Sequence, residues 1–449
     1  MEDFIFAPLV LLIGLGIHGV VLRRHTADEG RLLTVSFAMH MVAGFAQVLL
    51  TRYYFKVGDM LSYWEYGVPM AEAMRSDFGY IAPAVLEGFF RAEELSAPVA
   101  FTPGGGTTMS MSAVAIFILF ALGDSLYAAV LFVALLSYVS KVLLYHALRA
   151  DFPREGHRAV LIGATLLPTA VFWSCGLLKE PIIMCAVGPL VLGLRWLMAG
   201  HRRPLALMMI VGASVPIALI KPYVLMTISI AGAAFYLWSR MLSRDSAAMK
   251  PFAIITAGLI AAGGLVLGNR FFTKSEASTV ESFSAQRARG AAVEGGSNFS
   301  IEGAQPVDEA ANRSLSREVL LAPFAIFTSL FRPLLFEARN AVQLANAIEA
   351  TVLLAFFAQL LRRRGVMGTF ADIRASPTLV FCALFTLALA LGTGLSTTNM
   401  GTLSRYRAPM MPFYFVLLMV LRDRATRAGA TQSPAPVAPL RAGAQARRA

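Results

Sequence analysis

The chain has 449 residues, of which 57% are hydrophobic and only 15% charged, with a mean hydropathy of +0.64. Soluble domains carry about a quarter charged residues, so this composition excludes an ordinary water-soluble fold and points to a membrane. The formal net charge of +12 invites a nucleic-acid reading, which the placement of the charges removes below.

A bilayer-crossing helix takes about twenty mostly apolar residues. Met1-Glu2-Asp3 lacks the basic start of a secretory leader, so the first apolar stretch, 4–22, is expected to be a retained span. A second span is predicted at 32–50, followed by a long loop, 51–110. Further spans are predicted at 125–147, 158–174, 181–199, 204–220, 222–239, 251–268, 341–361, 377–395 and 408–421, about eleven in all. The stretch 204–239 is nearly continuous and is expected to break at Lys221-Pro222, because proline lacks an N–H and disfavours helix at the residue before it. Two apolar stretches, 111–123 and 319–336, are ambiguous.

Charge arbitrates, because cytoplasmic loops accumulate Lys and Arg. With the N-terminus outside and eleven spans, the inner segments hold 21 basic and 7 acidic residues, while the outer loops 51–110 and 269–318 hold 10 basic and 14 acidic. The excess positive charge is then a topology signal, and no nucleic-acid partner is needed. Adding one ambiguous stretch as a span would invert the loops between it and the other. Both are therefore read as interfacial or re-entrant helices on the outer side. The expected fold is all-α, a polytopic transmembrane bundle over 1–424 with its C-terminus in the cytoplasm. The loop 269–318 reads as a mobile segment or a lid. The tail 425–449, with Pro434, Pro436 and Pro439 among Ala and Arg, reads as disordered.

Cys175, Cys185 and Cys382 lie in apolar stretches and read as buried thiols. The six histidines are scattered, with no pair at ligand spacing. No metal ligand set and no cofactor is expected, and the chemistry is taken as metal-independent or only weakly metal-dependent.

Charges near the membrane are where chemistry would show, since each costs roughly 2.5–3.5 kcal/mol at a helix centre. Lys141 and Arg195 are expected to snorkel at inner helix ends, and Glu349, inside a span, to pair across helices. The other charges fall at the opposite face: Asp59, Lys179-Glu180, Lys221, Arg332, Glu337, Arg339, Arg405 and Arg407. Each one alone reads as an anchor for its helix. As a group, Lys179, Lys221, Arg332, Arg405 and Arg407 are candidates to bind an anion such as a phosphate, because a basic cluster suits an anion and guanidinium forks onto phosphate oxygens. Glu180, Glu337, Arg339 and Tyr63 are candidates to line the substrate. Asp59 follows Gly58 directly after a span and would share a helical face with Tyr63. It reads either as a helix cap or as a general base toward an acceptor hydroxyl or amine.

One long outer loop that begins with an acid and ends in an interfacial helix, with a late Arg405-Tyr406-Arg407-x-x-Pro segment before a span, resembles the GT-C class of glycosyltransferases. The stretch Phe172-Trp173-Ser174-Cys175-Gly176-Leu177-Leu178-Lys179-Glu180 is similar to a segment common in bacterial polysaccharide-assembly membrane proteins. The resemblance implies a multi-pass protein of the bacterial inner membrane, using a polyprenyl-phosphate-linked sugar and a membrane-lipid or surface-glycan acceptor. It implies Asp59 as the loop acid and Arg405 and Arg407 as the late basic segment. Two features depart from the class: Asp59 stands without a paired acid, and the loop follows the second span. The alternatives are an O-antigen-type polysaccharide polymerase or ligase, with arginines as the main catalytic groups, and a transporter or lipid flippase.

Overall fold

The computed structural model describes residues 2–242 and 315–432, together with 254, 255 and 258. Most of the predicted span 251–268, most of the loop 269–318 and the tail beyond 432 lie outside the described residues. Every regular element among the described residues is a helix. In order it forms α1 (Glu2–Leu22), α2 (Ala27–Leu49, continued by a π-turn Leu50–Phe55), α3 (Asp59–Ser76), α4 (Phe78–Phe89), α5 (Gly106–Ala121) and α6 (Leu126–Arg149). Then come α7 (Arg154–Thr165), α8 (Pro168–Phe172), α9 (Lys179–Met198), α10 (Arg203–Ile220) and α11 (Pro222–Leu242). After the gap follow α12 (Leu315–Phe331), a 3-10 turn Leu335–Glu337, α13 (Ala341–Arg374), α14 (Pro377–Ser396), α15 (Met400–Tyr406) and α16 (Met411–Gln432).

Eight of these helices are long and apolar enough to cross a membrane: α1, α2, α6, α9, α10, α11, α13 and α14. The chain is a multi-pass membrane protein. Pro222 breaks α10 from α11 at Lys221, as its chemistry requires. The helix α16 runs on to Gln432, past the expected start of the tail at 425. The helix α13 is kinked at Gly365, whose φ of 66° leaves the helical region.

The predicted span 158–174 is not one helix. It divides into α7 and α8 at Leu166-Leu167, because Pro168 opens the second piece. The backbone groups freed in mid-bundle are met by two deep charges. The Thr169 N–H, in the first turn of α8, donates to Glu349 at 2.8 Å, and the Thr169 hydroxyl donates to the same carboxylate. At the other end, Lys141 Nζ donates to the Ala170 carbonyl at 2.9 Å and to Ser174 Oγ at 2.8 Å. This corrects the expectation for Lys141, which does not snorkel but is only 1% exposed. Arg195, in contrast, sits near a helix end and pairs with Asp151.

Among the described residues, neither ambiguous stretch forms a helix long enough to span. The helix α5 packs with α3 and α4 around Met74, Val85, Ala113 and Ile116, a unit of short helices on the early loop. The helix α12 lies along α14: Ser329 Oγ donates to the Ala390 carbonyl at 2.8 Å, and Gly394 meets the Ala325 backbone.

Close approach at small residues organises the bundle centre, as expected where lipid supplies no hydrophobic drive between helices. A Cβ on Gly188 of α9 would collide with the Ser140 carbonyl of α6, and one on Gly163 of α7 with the Val416 backbone of α16. Gly188→Val should therefore destabilise by at least about 1–3 kcal/mol, the usual penalty of overpacking. Gly212→Val, at a position with nothing within 4 Å, is the control. Thermal unfolding of both variants in detergent checks this, and equal midpoints would refute it.

The two ends of the bundle differ in charge. One gathers the ends of α1, α6 and α9 and the starts of α2, α7 and α10, carrying Arg23, Arg24, Arg149, Arg154 and Arg202. The other gathers Asp59, Glu180, Lys221 and Arg405.

Candidate functional site

At this second end, charges far apart in sequence form one continuous chain of contacts. Arg405 Nη1 lies 2.7 Å from Asp59 Oδ2 across 346 positions. The same guanidinium places Nε 3.4 Å from Glu180 Oε1, and Lys221 Nζ is 2.7 Å from that oxygen. Lys221 also donates to the Tyr223 hydroxyl at 2.9 Å and sits 3.8 Å from the centre of the Tyr406 ring, a cation–π distance.

Local sequence explains each position. The π-turn ends at Lys56, and Gly58, at φ 136°, lets the chain re-enter helix at Asp59. Gly58 occupies the N-cap position and makes no side-chain cap bond, so Asp59 is the first helical residue. Its charge still suits a helix start, while the carboxylate itself is engaged by Arg405. Glu180 lies in the first turn of α9, where the helix dipole favours an anion. Lys221 stands at the break that Pro222 imposes, and Arg405 in the last turn of the short helix α15.

The chain runs from half-exposed to buried. The Asp59 side chain is 54% exposed and Arg405 22%, while Glu180 is 1%. Burial alone would lower the Lys221 ammonium, but the Glu180 carboxylate, with Tyr223 and Tyr406, outweighs it and holds Lys221 above the ordinary lysine value. Burial likewise works against the Arg405 charge, and Glu180, Tyr406 and Asp59 hold it above the ordinary arginine value. Tyr63, one turn after Asp59 and buried, is raised by burial and then by the negative charges of Asp59 and Glu180.

Lys179 belongs to the same site on its other side. Its Nζ donates to Thr107 Oγ1 at 3.0 Å and Thr108 Oγ1 at 2.9 Å. These hydroxyls open α5, after Gly104, Gly105 and Gly106, all at positive φ, a turn that side-chain-bearing residues would strain.

Thus Asp59, Tyr63, Lys179, Glu180, Lys221 and Arg405 come together, and the remaining candidates have contacts of their own. Arg332 forms an ion pair with Glu337, five residues on. The Arg339 N–H donates to Gln343 Oε1 at 2.9 Å, at the start of α13. Arg407 is fully buried, and its Nη1 donates to the carbonyls of Arg332 at 2.7 Å and Ser329 at 3.4 Å. Burial lowers its pKa from the ordinary arginine value against the opposing charge of Glu349. Arg407 pins the turn after α12, so two arginines only two positions apart serve different neighbourhoods. The physical reason is helical: residues i and i+2 do not face the same way. Among the described residues, the ion-pair contacts of this group join Lys221 and Arg405 to Asp59 and Glu180, with Lys179 beside them, a near balance of charge.

Sequence reading missed Thr107, Thr108, Tyr223 and Tyr406. Tyr223 and Tyr406 adjoin singled-out charges and were within reach. The threonines carry no signal beyond the glycine run before them. Among the described residues, no group of three or more His, Cys, Asp or Glu is placed to hold a metal ion. Comparison of the chain with protein-family models, with curated proteins and with solved structures gives no match.

Proposed function

We propose that the protein is a membrane glycosyltransferase of GT-C-like design, moving a sugar from a polyprenyl (di)phosphate donor to a surface glycan or lipid at the extracytoplasmic face of a bacterial inner membrane. The observation that carries the reading is the Asp59–Arg405–Glu180–Lys221 chain. It gathers a half-exposed carboxylate and fixed cations at one end of the bundle, where a lipid-held phosphate would arrive. In this reading Arg405 and Lys179 hold the leaving phosphate, and the glycine turn before α5 lets backbone approach it closely. Glu180 and Lys221 fix the guanidinium of Arg405, and Asp59 takes the acceptor proton once the incoming phosphate draws Arg405 away.

Arg405→Lys tests it. The charge is kept, but an ammonium cannot reproduce a two-pronged contact with phosphate. Transfer from a polyprenyl-phosphate sugar by the purified protein should fall by at least about tenfold, the scale of one strong charge-assisted contact. Unchanged donor use would remove the phosphate role. The pairing of Asp59 with Arg405 favours one alternative, an arginine-centred polymerase or ligase, in which the carboxylate only orients the guanidinium. In that case Asp59→Asn would be mild and Arg405→Lys severe. The split span α7–α8 with Lys141 and Glu349 favours the transporter alternative, although both charges are already engaged by α8 and its flanks.

The proposed orientation places this site outside and the arginine-rich end in the cytoplasm, following the bias of basic loops. Single cysteines placed in 51–110 should react with a membrane-impermeant thiol reagent in intact cells, and those in 362–376 should not. The reverse pattern would put the site on the cytoplasmic face.

A further inference from the structure

The opposite end of the bundle holds a cavity of about 1560 Å³ that the transferase reading does not use. Small-molecule pockets are usually about 300–1,000 Å³, so it has room for more than a soluble metabolite. Its rim is cationic. Seven arginines line it, from Arg23 to Arg202, against two acids, Asp28 and Glu29. Both acids are occupied. Arg31 lies 3.8 Å from Asp28. Glu29 accepts from the Tyr145 hydroxyl, approaches Arg149 at 3.5 Å, and closes the capping box of α2 with Thr26. Arg23, Arg24, Arg154, Arg158 and Arg202 have no acidic partner among the described residues. His25, on the same wall, has an Nε2 shielded from solvent and without a hydrogen-bond partner.

Basic residues at a cytoplasmic membrane face are ordinary where they fan out into water or lipid headgroups. Here they converge on a concave surface from α1, α7 and the loops before α2 and α10. Such a group repels itself until an anion is supplied. The inner wall is apolar, with Ile17, Val20, Val139 and Leu143, and Ile17 and Val20 are exposed on the membrane-facing helix α1. A cationic rim joined to an apolar wall that reaches the lipid-facing side matches an amphiphile with an anionic head.

We propose that this cavity binds a lipid whose phosphate head carries net negative charge, its phosphate among Arg24, Arg154 and Arg158 and the first part of its chain against Ile17, Val20 and Leu143. The chemistry recognised is a phosphate anion, and the lipid source follows from the apolar wall. The site is independent of the Asp59 group and of the activity proposed for it.

Titration of the purified full chain in neutral detergent with dioctanoyl phosphatidic acid, dioctanoyl phosphatidylcholine and inorganic phosphate tests this. Phosphatidic acid should bind at least roughly tenfold more tightly than phosphatidylcholine, and Arg154→Gln/Arg158→Gln should lose about as much, one strong charge-assisted contact being of that order. Arg405→Lys, at the other end, should bind phosphatidic acid like the parent protein. Equal binding of the two lipids would overturn the proposal, as would full binding by a folded Arg154→Gln/Arg158→Gln protein. Effective competition by inorganic phosphate would make the ligand a soluble anion and overturn the lipid assignment. Loss of binding in Arg405→Lys would move the lipid to the other site. Should the double variant fail to fold, Arg24→Gln carries the same expectations from a different part of the rim.

Discussion

Asp59→Asn should leave the protein folded and inserted while lowering sugar transfer by roughly 10²–10⁴-fold, the usual contribution of a general base. The expectation separates two roles that the same carboxylate plays. As a partner of Arg405 it is half exposed, and exposed ion pairs contribute only about 0–1 kcal/mol, so stability should hardly move. As a proton acceptor it has no substitute in this group among the described residues, because the other acid, Glu180, is buried against Lys221 and Arg405. An amide keeps the shape and one hydrogen bond to Arg405 but cannot take a proton at neutral pH. Transfer measured on detergent-purified protein, with thermal unfolding recorded alongside, distinguishes the cases. Near-normal turnover would reduce Asp59 to an anchor, and a large drop in unfolding temperature would make it structural.

The second large effect is on stability. Lys221→Met leaves buried Glu180 with Arg405 at 3.4 Å but without its partner at 2.7 Å. Removing one partner of a buried pair typically costs about 3–5 kcal/mol, because an uncompensated charge remains. The remaining arginine should keep the loss near the lower end. The double variant Glu180→Gln/Lys221→Met should recover much of it, since the stranded charge is then gone. Chemical or thermal unfolding of the four proteins in one detergent gives the cycle. If the double variant is as unstable as Lys221→Met alone, the charge is not the cause and the site is held by packing.

Much of the architecture was legible because membrane helices announce themselves by length and apolarity. The bounds of α1, α6, α9 and α14 fall within a few residues of the apolar stretches, and the break at Lys221 follows from Pro222 alone. What could not be read is where a charge is satisfied. Lys141 lies eight positions from the end of α6, close enough to suggest an exit to water, yet it turns toward a carbonyl freed by a break in another helix. The division of 158–174 depends on Pro168, and a proline near the middle of an apolar stretch is compatible with a kink as well as a stop. Charge counting placed Asp59, Lys179, Glu180, Lys221 and Arg405 at one end, and they do meet. The same counting could not separate Arg405 from Arg407, because which way each points is set by the helix α15 and by carbonyls at the end of α12. Thr107 and Thr108 escaped because a hydroxyl costs a chain little and so leaves no trace in its charge pattern.

The split of α7 from α8 also constrains how the protein can be made. A helix of 12 residues followed by one of 5 is too short to settle alone across a bilayer of about 30 Å, and its open backbone groups cannot be left facing lipid. Their partners arrive at different times: Lys141 is synthesised before α8, but Glu349 follows it by 180 positions. Until α13 has left the ribosome, this segment must wait, shielded by the insertion machinery or held short of its final depth. Truncation before Glu349 should therefore leave the α7–α8 region open to protease on a nascent chain, and extension through α13 should close it.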